Sequence, residues 1–374
     1  MVVGRQETLD STGVSMLIRE EKPSQPQPKV SAKPATFIHQ EMLSILSKFI
    51  SNRMKYVSLG VLMLQTTLLV LTMRYSRTLH SEGPRYLASS AVLFAEVLKI
   101  LICTLLIFGS KGFGVRGLYQ ELKEEIVHKP SETMKLAIPS GIYTLQNNLL
   151  YLALTNLDAA TYQITYQMKI LTTALFSVSM LGKRLCVFQW LSLVILMTGI
   201  AFVQWPSPSS SEEKEKDPGS RLIGMLAILF ACFSSGFAGI YFEKILKETK
   251  QSILIRNIQL GLFGLFFGLI GVFAQDGEKV RENGILQGYN SVTWAVVILQ
   301  AMGGLIVAAV IKYADNILKG FATSGSIILS TIISYFWLHD FSPSGLFFVG
   351  AVLVIAATFL YGYDWKSART RDVV

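Results

Sequence analysis

Residues 159–181 read AATYQITYQMKILTTALFSVSML. About twenty apolar residues in a helix cross a hydrocarbon core, and this run is long enough with a single charge, Lys169, near its middle. No acidic residue lies within a helical turn of Lys169 on either side. A lysine at that depth costs roughly 2.5–3.5 kcal/mol on insertion scales, so its partner must be a group on another helix or a ligand. The stretch predicts a membrane-embedded helix with an internal cation, and the rest of the chain has to fit around it.

It does. The chain has 374 residues, of which 51% are hydrophobic and 16% charged, and a mean hydropathy of +0.45. Such a balance cannot cover a soluble surface. Apolar runs at 56–73, 87–108, 135–154, 159–181, 188–205, 222–241, 258–274, 292–311, 320–338 and 345–362 predict an all-α polytopic membrane protein with ten transmembrane helices. Residues 1–53 read as a disordered polar tail without the apolar core of a signal peptide, and 364–374 as a second tail.

The net charge of +9 reflects topology rather than an affinity for nucleic acid. With loops assigned alternately, the side shared with the C-terminal tail carries 15 Lys/Arg and the opposite side eight. The positive-inside rule then places both termini in the cytosol, as an even number of spans requires. Three cysteines, Cys103, Cys186 and Cys232, form no CxxC pair, and the sequence offers no metal or cofactor motif. His39, His80, His128 and His339 fall in tails, loops or span ends.

The linker 206–220, PSPSSSEEKEKDPGS, divides the spans into a first half, 54–205, and a second, 221–363. The halves end alike, each with a Ser/Thr-bearing span, a polar turn and a Gly-containing closing span. Because five is odd, a duplication of this kind inverts the second half in the membrane, the arrangement many secondary transporters use around one central site.

Other polar residues at depth are few. The third span carries Tyr143, Gln146, Asn147 and Asn148, and Lys312, Tyr313, Asp315, Asn316 and Lys319 lie beside the eighth. Glu96 and Lys99 are three apart in the second span, close enough for an internal ion pair as well as for a substrate role. Asn147 and Asn148 suit interhelical hydrogen bonds as well as a ligand. Lys312 and Lys319 also suit loop charges. Small residues in SSGFAG, 234–239, permit either close helix packing or a flat ring against the backbone. Lysines, amides and tyrosines together suit an anion with phosphate oxygens, a stackable base and sugar hydroxyls. No phosphate-binding loop for ATP and no HExxH motif supports pumping or hydrolysis.

Long strings make these features specific: RYSRTL at 74–79, IPSGIYTLQNNLLY at 138–151, NLDAATYQITYQMKILTTALFSVSML at 156–181, SSGFAGIYFEKILK at 234–247 and VIKYADNILKGFATS at 310–324. From about Lys55 to Asp364 the chain resembles the Golgi nucleotide-sugar transporters. That resemblance implies two inverted five-helix halves of the drug/metabolite transporter type in the Golgi membrane, and antiport of luminal UMP against a cytosolic nucleotide sugar. The strings MRYSRTL, EGPRYL, ETKQS and TFLYGYD favour UDP-N-acetylglucosamine, with UDP-galactose or a broader range of UDP-sugars as the alternative. It further implies that Lys169 and Lys312 hold phosphates, and that Tyr143, Asn147 and Tyr162 line the nucleoside, with Asn316 beside them. Asn257 would contact the base. Gly261 and Phe263 stand where the CMP-sialic acid carrier has Tyr and Ser, which favours uracil. Gly325 replaces the family's usual leucine and bears on sugar selectivity. Association with another copy, with related transporters or with glycosyltransferases also follows from the family, and a glycosyltransferase scaffold is the reading from a different class. The expected activity is transport, without an enzymatic step or a cofactor.

Overall fold

The computed structural model describes residues 35–78, 85–205, 218–249, 251–338 and 344–363. The stretch 1–34, most of the linker and the C-terminal tail lie outside the described residues. The chain divides into two units, 1–48 and 49–374. The first contains the beginning of helix α1 (Ala35–Thr78), so part of the stretch expected as a tail is helical.

The second unit is helical throughout its described residues. After α1 come α2 (Ala88–Ser110), α3 (Val115–Leu122), α4 (Pro130–Met134), α5 (Ala137–Asn156), α6 (Ala159–Tyr166), α7 (Lys169–Leu181) and α8 (Val187–Val203). They are followed by α9 (Pro218–Glu248), α10 (Ile253–Asn283), α11 (Ser291–Tyr313), α12 (Asn316–Ile333) and α13 (Gly345–Gly362). Among the described residues, seven helices are long and apolar enough to cross a membrane. The remaining three apolar runs are α5, the shorter α8, and the run 159–181, which is broken into α6 and α7. Proline at Pro218 starts α9 three residues before the expected start of the second half, at a position where its missing N–H has no helical partner to lose.

Packing is by long helix pairs: α8 along α13, α5 along α9, α2 along α10, and α7 along α9, with α11 against α2 and α5 against α10. Helix α1 lies on α11 and α12. Leu62 packs with Val310 and Ala322, and Gln65 donates from Nε2 to the Leu299 carbonyl at 2.9 Å. One apolar cluster, including Ala174, Leu193, Leu196, Phe321 and Val354, joins α7, α8, α12 and α13. Small residues let the backbones approach, as association between helices in lipid requires. Large apolar side chains such as Phe230, Ile270, Val352 and Phe359 stay on the outside of the bundle, where lipid is their solvent.

Loop 111–136 is bound to the start of α10 by a polar network. Arg256, fully buried, donates to the Glu132 carbonyl at 3.1 Å and to its Oε2 at 2.9 Å. Gln259 donates to the Glu125 carbonyl at 3.1 Å and to Thr133 Oγ1 at 3.0 Å. Taking a guanidinium out of water is tolerable only with partners of this kind.

Candidate functional site

The site is built on the break in the run 159–181. Aromatic and β-branched residues in TYQITY favour helix weakly, and the chain tightens there. The N–H groups of Gln167, Met168 and Ile170 donate to carbonyls three residues back, at 3.1, 3.0 and 3.0 Å. A break inside a membrane frees backbone carbonyls that must find donors. Cys232 of α9 supplies one, its thiol lying 3.7 Å from the Thr165 carbonyl and 3.6 Å from that of Tyr166. Thr172 answers by donating to the Cys232 carbonyl at 2.8 Å. Helix α9 comes this near because Gly236 faces the α7 backbone, where a Cβ would stand 2.9 Å from the Thr172 carbonyl carbon.

Lys169 is therefore the first residue of α7 and not a mid-helix residue. The N–H groups of Gln167, Met168, Ile170 and Thr172 keep carbonyl partners across the break, so the positive charge there is that of the Lys169 ammonium. Lys169 Nζ sits 3.8 Å from the centroid of the Tyr166 ring. That ring stacks on Tyr162 with centroids 6.0 Å apart. Tyr143 and Gln146 of α5 adjoin Tyr166 as well. No carboxylate among the described residues lies within ion-pair distance of Lys169. Lys319 approaches near enough for its charge to act on Lys169.

The expected site residues distribute unevenly. Lys169, Tyr143 and Tyr162 gather at the break, while Asn147 is exposed on α5. Lys312 does not join them: it is exposed on the last turn of α11 and forms no ion pair among the described residues. The second lysine near Lys169 is Lys319, one turn into α12. Asp315 caps that helix by accepting from the Leu318 N–H at 2.8 Å. The cap signal was readable in DNIL and places Lys319 inside a helix rather than in a loop.

Asn316 is buried and donates from Nδ2 to the Gly239 carbonyl at 2.6 Å, while its Oδ1 is buried without a hydrogen-bond partner among the described residues. Asn257 is buried and donates from Nδ2 to the Ile253 carbonyl of its own helix at 2.9 Å, which leaves its side-chain oxygen without a proton donor of its own. Gly261 is a packing glycine against α2, where a Cβ would meet Ile100 at 2.8 Å. Phe263 packs onto the cluster of Leu136 and Phe242. Gly325 faces Met63, whose Cε would lie 3.1 Å from an added Cβ, so α1 fills the space that glycine leaves. Glu96 and Lys99 form the internal ion pair at 2.5 Å. SSGFAG serves helix packing through Gly236 and Gly239.

Comparisons with known proteins identify the family. Residues 50–362 match the family model described as nucleotide-sugar transporter. A human UDP-N-acetylglucosamine transporter is 71% identical over 315 residues, covering 84% of this chain and 97% of its own. A UDP-N-acetylglucosamine/UDP-N-acetylgalactosamine transporter of Caenorhabditis elegans is 52% identical, covering 85% of this chain and 96% of its own. A UDP-galactose translocator of Bos taurus is 51% identical, covering 85% and 80%. One solved structure shares the fold at a TM-score of 0.58 and 13% identity, covering 82% of this chain and 96% of that one. These relatives are transporters and not enzymes. They show that this chain belongs to the nucleotide-sugar transporter family.

Proposed function

We propose that the protein is an antiporter that carries UDP-N-acetylglucosamine into the Golgi lumen in exchange for UMP by alternating access. The observation that carries this reading is Lys169, a cation at the break between α6 and α7 inside the bundle, with a tyrosine stack beside it and no acidic partner among the described residues. An unpaired ammonium of this kind suits a phosphate group, through charge-assisted hydrogen bonds. The tyrosines offer faces to the uracil or ribose.

Ten spans in two inverted halves fit the packing. Exchanging each span of one half for its counterpart in the other turns α5 on α9 into α1 on α11, and α7 on α9 into α12 on α1. The same exchange turns α2 with α11 into α10 with α5, and leaves the pairs α2 with α10 and α8 with α13 unchanged. A carrier of this kind works by presenting one site alternately to either side. The excess of Lys/Arg on one set of loops favours cytosolic termini.

Charge explains the exchange. An empty site with Lys169 and Lys319 holds two cations away from bulk water, costly to occlude. UMP or a UDP-sugar brings roughly two negative charges and neutralises them. Only the loaded carrier then reorients readily, so sugar entry is tied to UMP exit without ATP. A second reading, a carrier of several UDP-sugars, is favoured by the substrates for which the nematode and bovine relatives are named. Uptake of radiolabelled UDP-N-acetylglucosamine, UDP-galactose and CMP-sialic acid into proteoliposomes, with and without internal UMP, tests both. Uptake that needs internal UMP and prefers the first sugar supports the narrow reading; equal uptake of the two UDP-sugars supports the broad one. UMP-independent uptake rejects antiport.

A further inference from the structure

Lys183 stands in the turn after α7, just past Gly182, whose φ of 63° is the left-handed conformation that ends the helix. Its Nζ donates to Glu243 Oε1 of α9 at 3.0 Å and lies 3.1 Å from Asp315 Oδ2. Glu243 is wholly buried. It also accepts from Lys247 Nζ at 2.8 Å, from the Asn316 backbone N–H at 2.9 Å and from Asn316 Nδ2 at 3.3 Å. Helix α7 runs from Lys169 to this cluster, and α12 starts at the cluster and carries Lys319. The cluster thus clasps the end of α7 opposite Lys169 to the start of α12, one turn before Lys319, on the side of loops 111–136, 182–186 and 314–315.

We propose that Lys183, Glu243 and Asp315 form the gate that closes the lysine-rich side of the carrier. The inference rests on the carrier reading above and adds to it the residues that part when that side opens. Among the described residues, Lys183 is the one donor in the cluster that comes from the first half of the chain. Withdrawing it leaves Glu243 still compensated by Lys247 and by both Asn316 donors, all from the second half. A bare buried carboxylate would make opening prohibitive, whereas this one keeps three donors in the open state. Lys183 and Asp315 retain 26% and 18% side-chain exposure, so water reaches them as they separate. Contacts of this kind are bistable: made in one state, replaced by water in the other. The gate also explains why Glu243 lies so deep. It takes the N–H of the first residue of α12, fixing the helix that carries Lys319 whether Lys183 is docked or not.

The test uses the full chain in proteoliposomes, with Lys183→Cys and Asp315→Cys combined in a Cys186→Ser background and joined by a short bifunctional thiol reagent that reduction cleaves. Crosslinking should lower UMP/UDP-N-acetylglucosamine exchange about tenfold or more, and reduction should restore it, while UMP binding from the opposite side changes by less than about threefold. Exchange that is indifferent to the crosslink overturns the gate. Should that variant fail to fold, Lys183→Met and Lys183→Arg decide. The gate requires Met to slow exchange about tenfold and to weaken UMP binding from the opposite side, with Arg restoring both toward wild type. A Lys183→Met carrier with wild-type exchange overturns the proposal. Wild-type protein that takes up no nucleotide sugar overturns the carrier reading, and the gate with it.

Discussion

Gly199 and Gly350 meet backbone to backbone where α8 crosses α13. A Cβ on Gly350 would stand 2.6 Å from the Gly199 carbonyl oxygen and 2.7 Å from the Val203 nitrogen, and one on Gly199 would stand 3.0 Å from the Gly350 carbonyl oxygen. Because both glycines are the close-approach residue of their own span, the closing helices of the two halves touch reciprocally. The obstacle each would meet is backbone, which cannot swing aside as a side chain can.

Gly350→Ala should therefore cost about 1–3 kcal/mol, the usual range for overpacking, and lower the unfolding temperature of the detergent-solubilised protein. Gly109→Ala meets nothing within 4 Å and should be neutral or gain up to about 1 kcal/mol from helix propensity. Thermal unfolding of the two variants side by side checks the contrast. Equal midpoints would mean that the crossing has no such constraint.

Lys169→Gln keeps a hydrogen-bond donor of similar length but removes the charge. A charge-assisted hydrogen bond is worth about 1.5–3 kcal/mol, so affinity for UMP should fall about 10- to 100-fold. Exchange should slow in both directions. Wild-type rates in this variant would remove Lys169 from the site.

The two remaining lysines should separate cleanly. Lys319→Gln should weaken UMP binding about tenfold or more, since Lys319 acts electrostatically on Lys169. Lys312→Gln, exposed on the last turn of α11, should stay within about threefold of wild type. Competition binding with UMP on both variants measures the difference; the reverse order would return Lys312 to the phosphates.

Sequence pattern was a good guide where lipid sets the rule. Each apolar run corresponds to a helix or to the broken pair α6 and α7, because hydrocarbon rejects unpaired backbone groups regardless of tertiary detail. The Glu96–Lys99 pair was legible for the same reason, since three-residue spacing on a helix brings the charges together. What stayed hidden depended on neighbours distant in sequence. The break at Gln167 and Met168 is stabilised by Cys232, more than sixty residues away, and no local signal announces that partner. Where Lys312 and Lys319 stand depends on where one helix ends and the next begins. Asn257 and Asn316 look alike as polar residues in apolar surroundings, but only the fold shows Asn316 committed to Gly239 and Glu243.

The network that binds loop 111–136 should respond to acid. The Glu132 carboxyl is held below the usual carboxylate range by hydrogen bonds from Lys135 and then Arg256, and Glu125 by hydrogen bonds from Lys129 and then Gln251. A depressed folded value means stability that is present above the unfolded carboxylate pKa and lost as pH falls through the folded one. Hydrogen exchange of residues 123–135 should be unchanged from pH 8 to about 5.5, after correction for intrinsic rates, and should lose protection below about pH 4. Glu132→Gln should flatten much of that acid limb. Protection that rises on acidification would contradict the assignment.

Gly325 carries the remaining question about selectivity. The sequence comparison with the family made it a place where a lost leucine could enlarge the site, but Met63 of α1 already occupies the space. The atoms an added side chain would meet first are Met63 Cε at 3.1 Å and Sδ at 3.3 Å, the far end of a flexible, unbranched residue. Gly325→Leu should therefore push Met63 aside at a cost of about 1–2 kcal/mol or less, without reshaping the tyrosine and lysine cluster. The ratio of UDP-N-acetylglucosamine to UDP-galactose uptake should change by less than about threefold, against the 10- to 200-fold that direct loss of a pocket contact gives. A larger change would place Gly325 in contact with the sugar and make the Met63 packing one of two states of α1. Met63→Ala would then shift the ratio in the opposite direction from Gly325→Leu, because one substitution opens the space that the other fills.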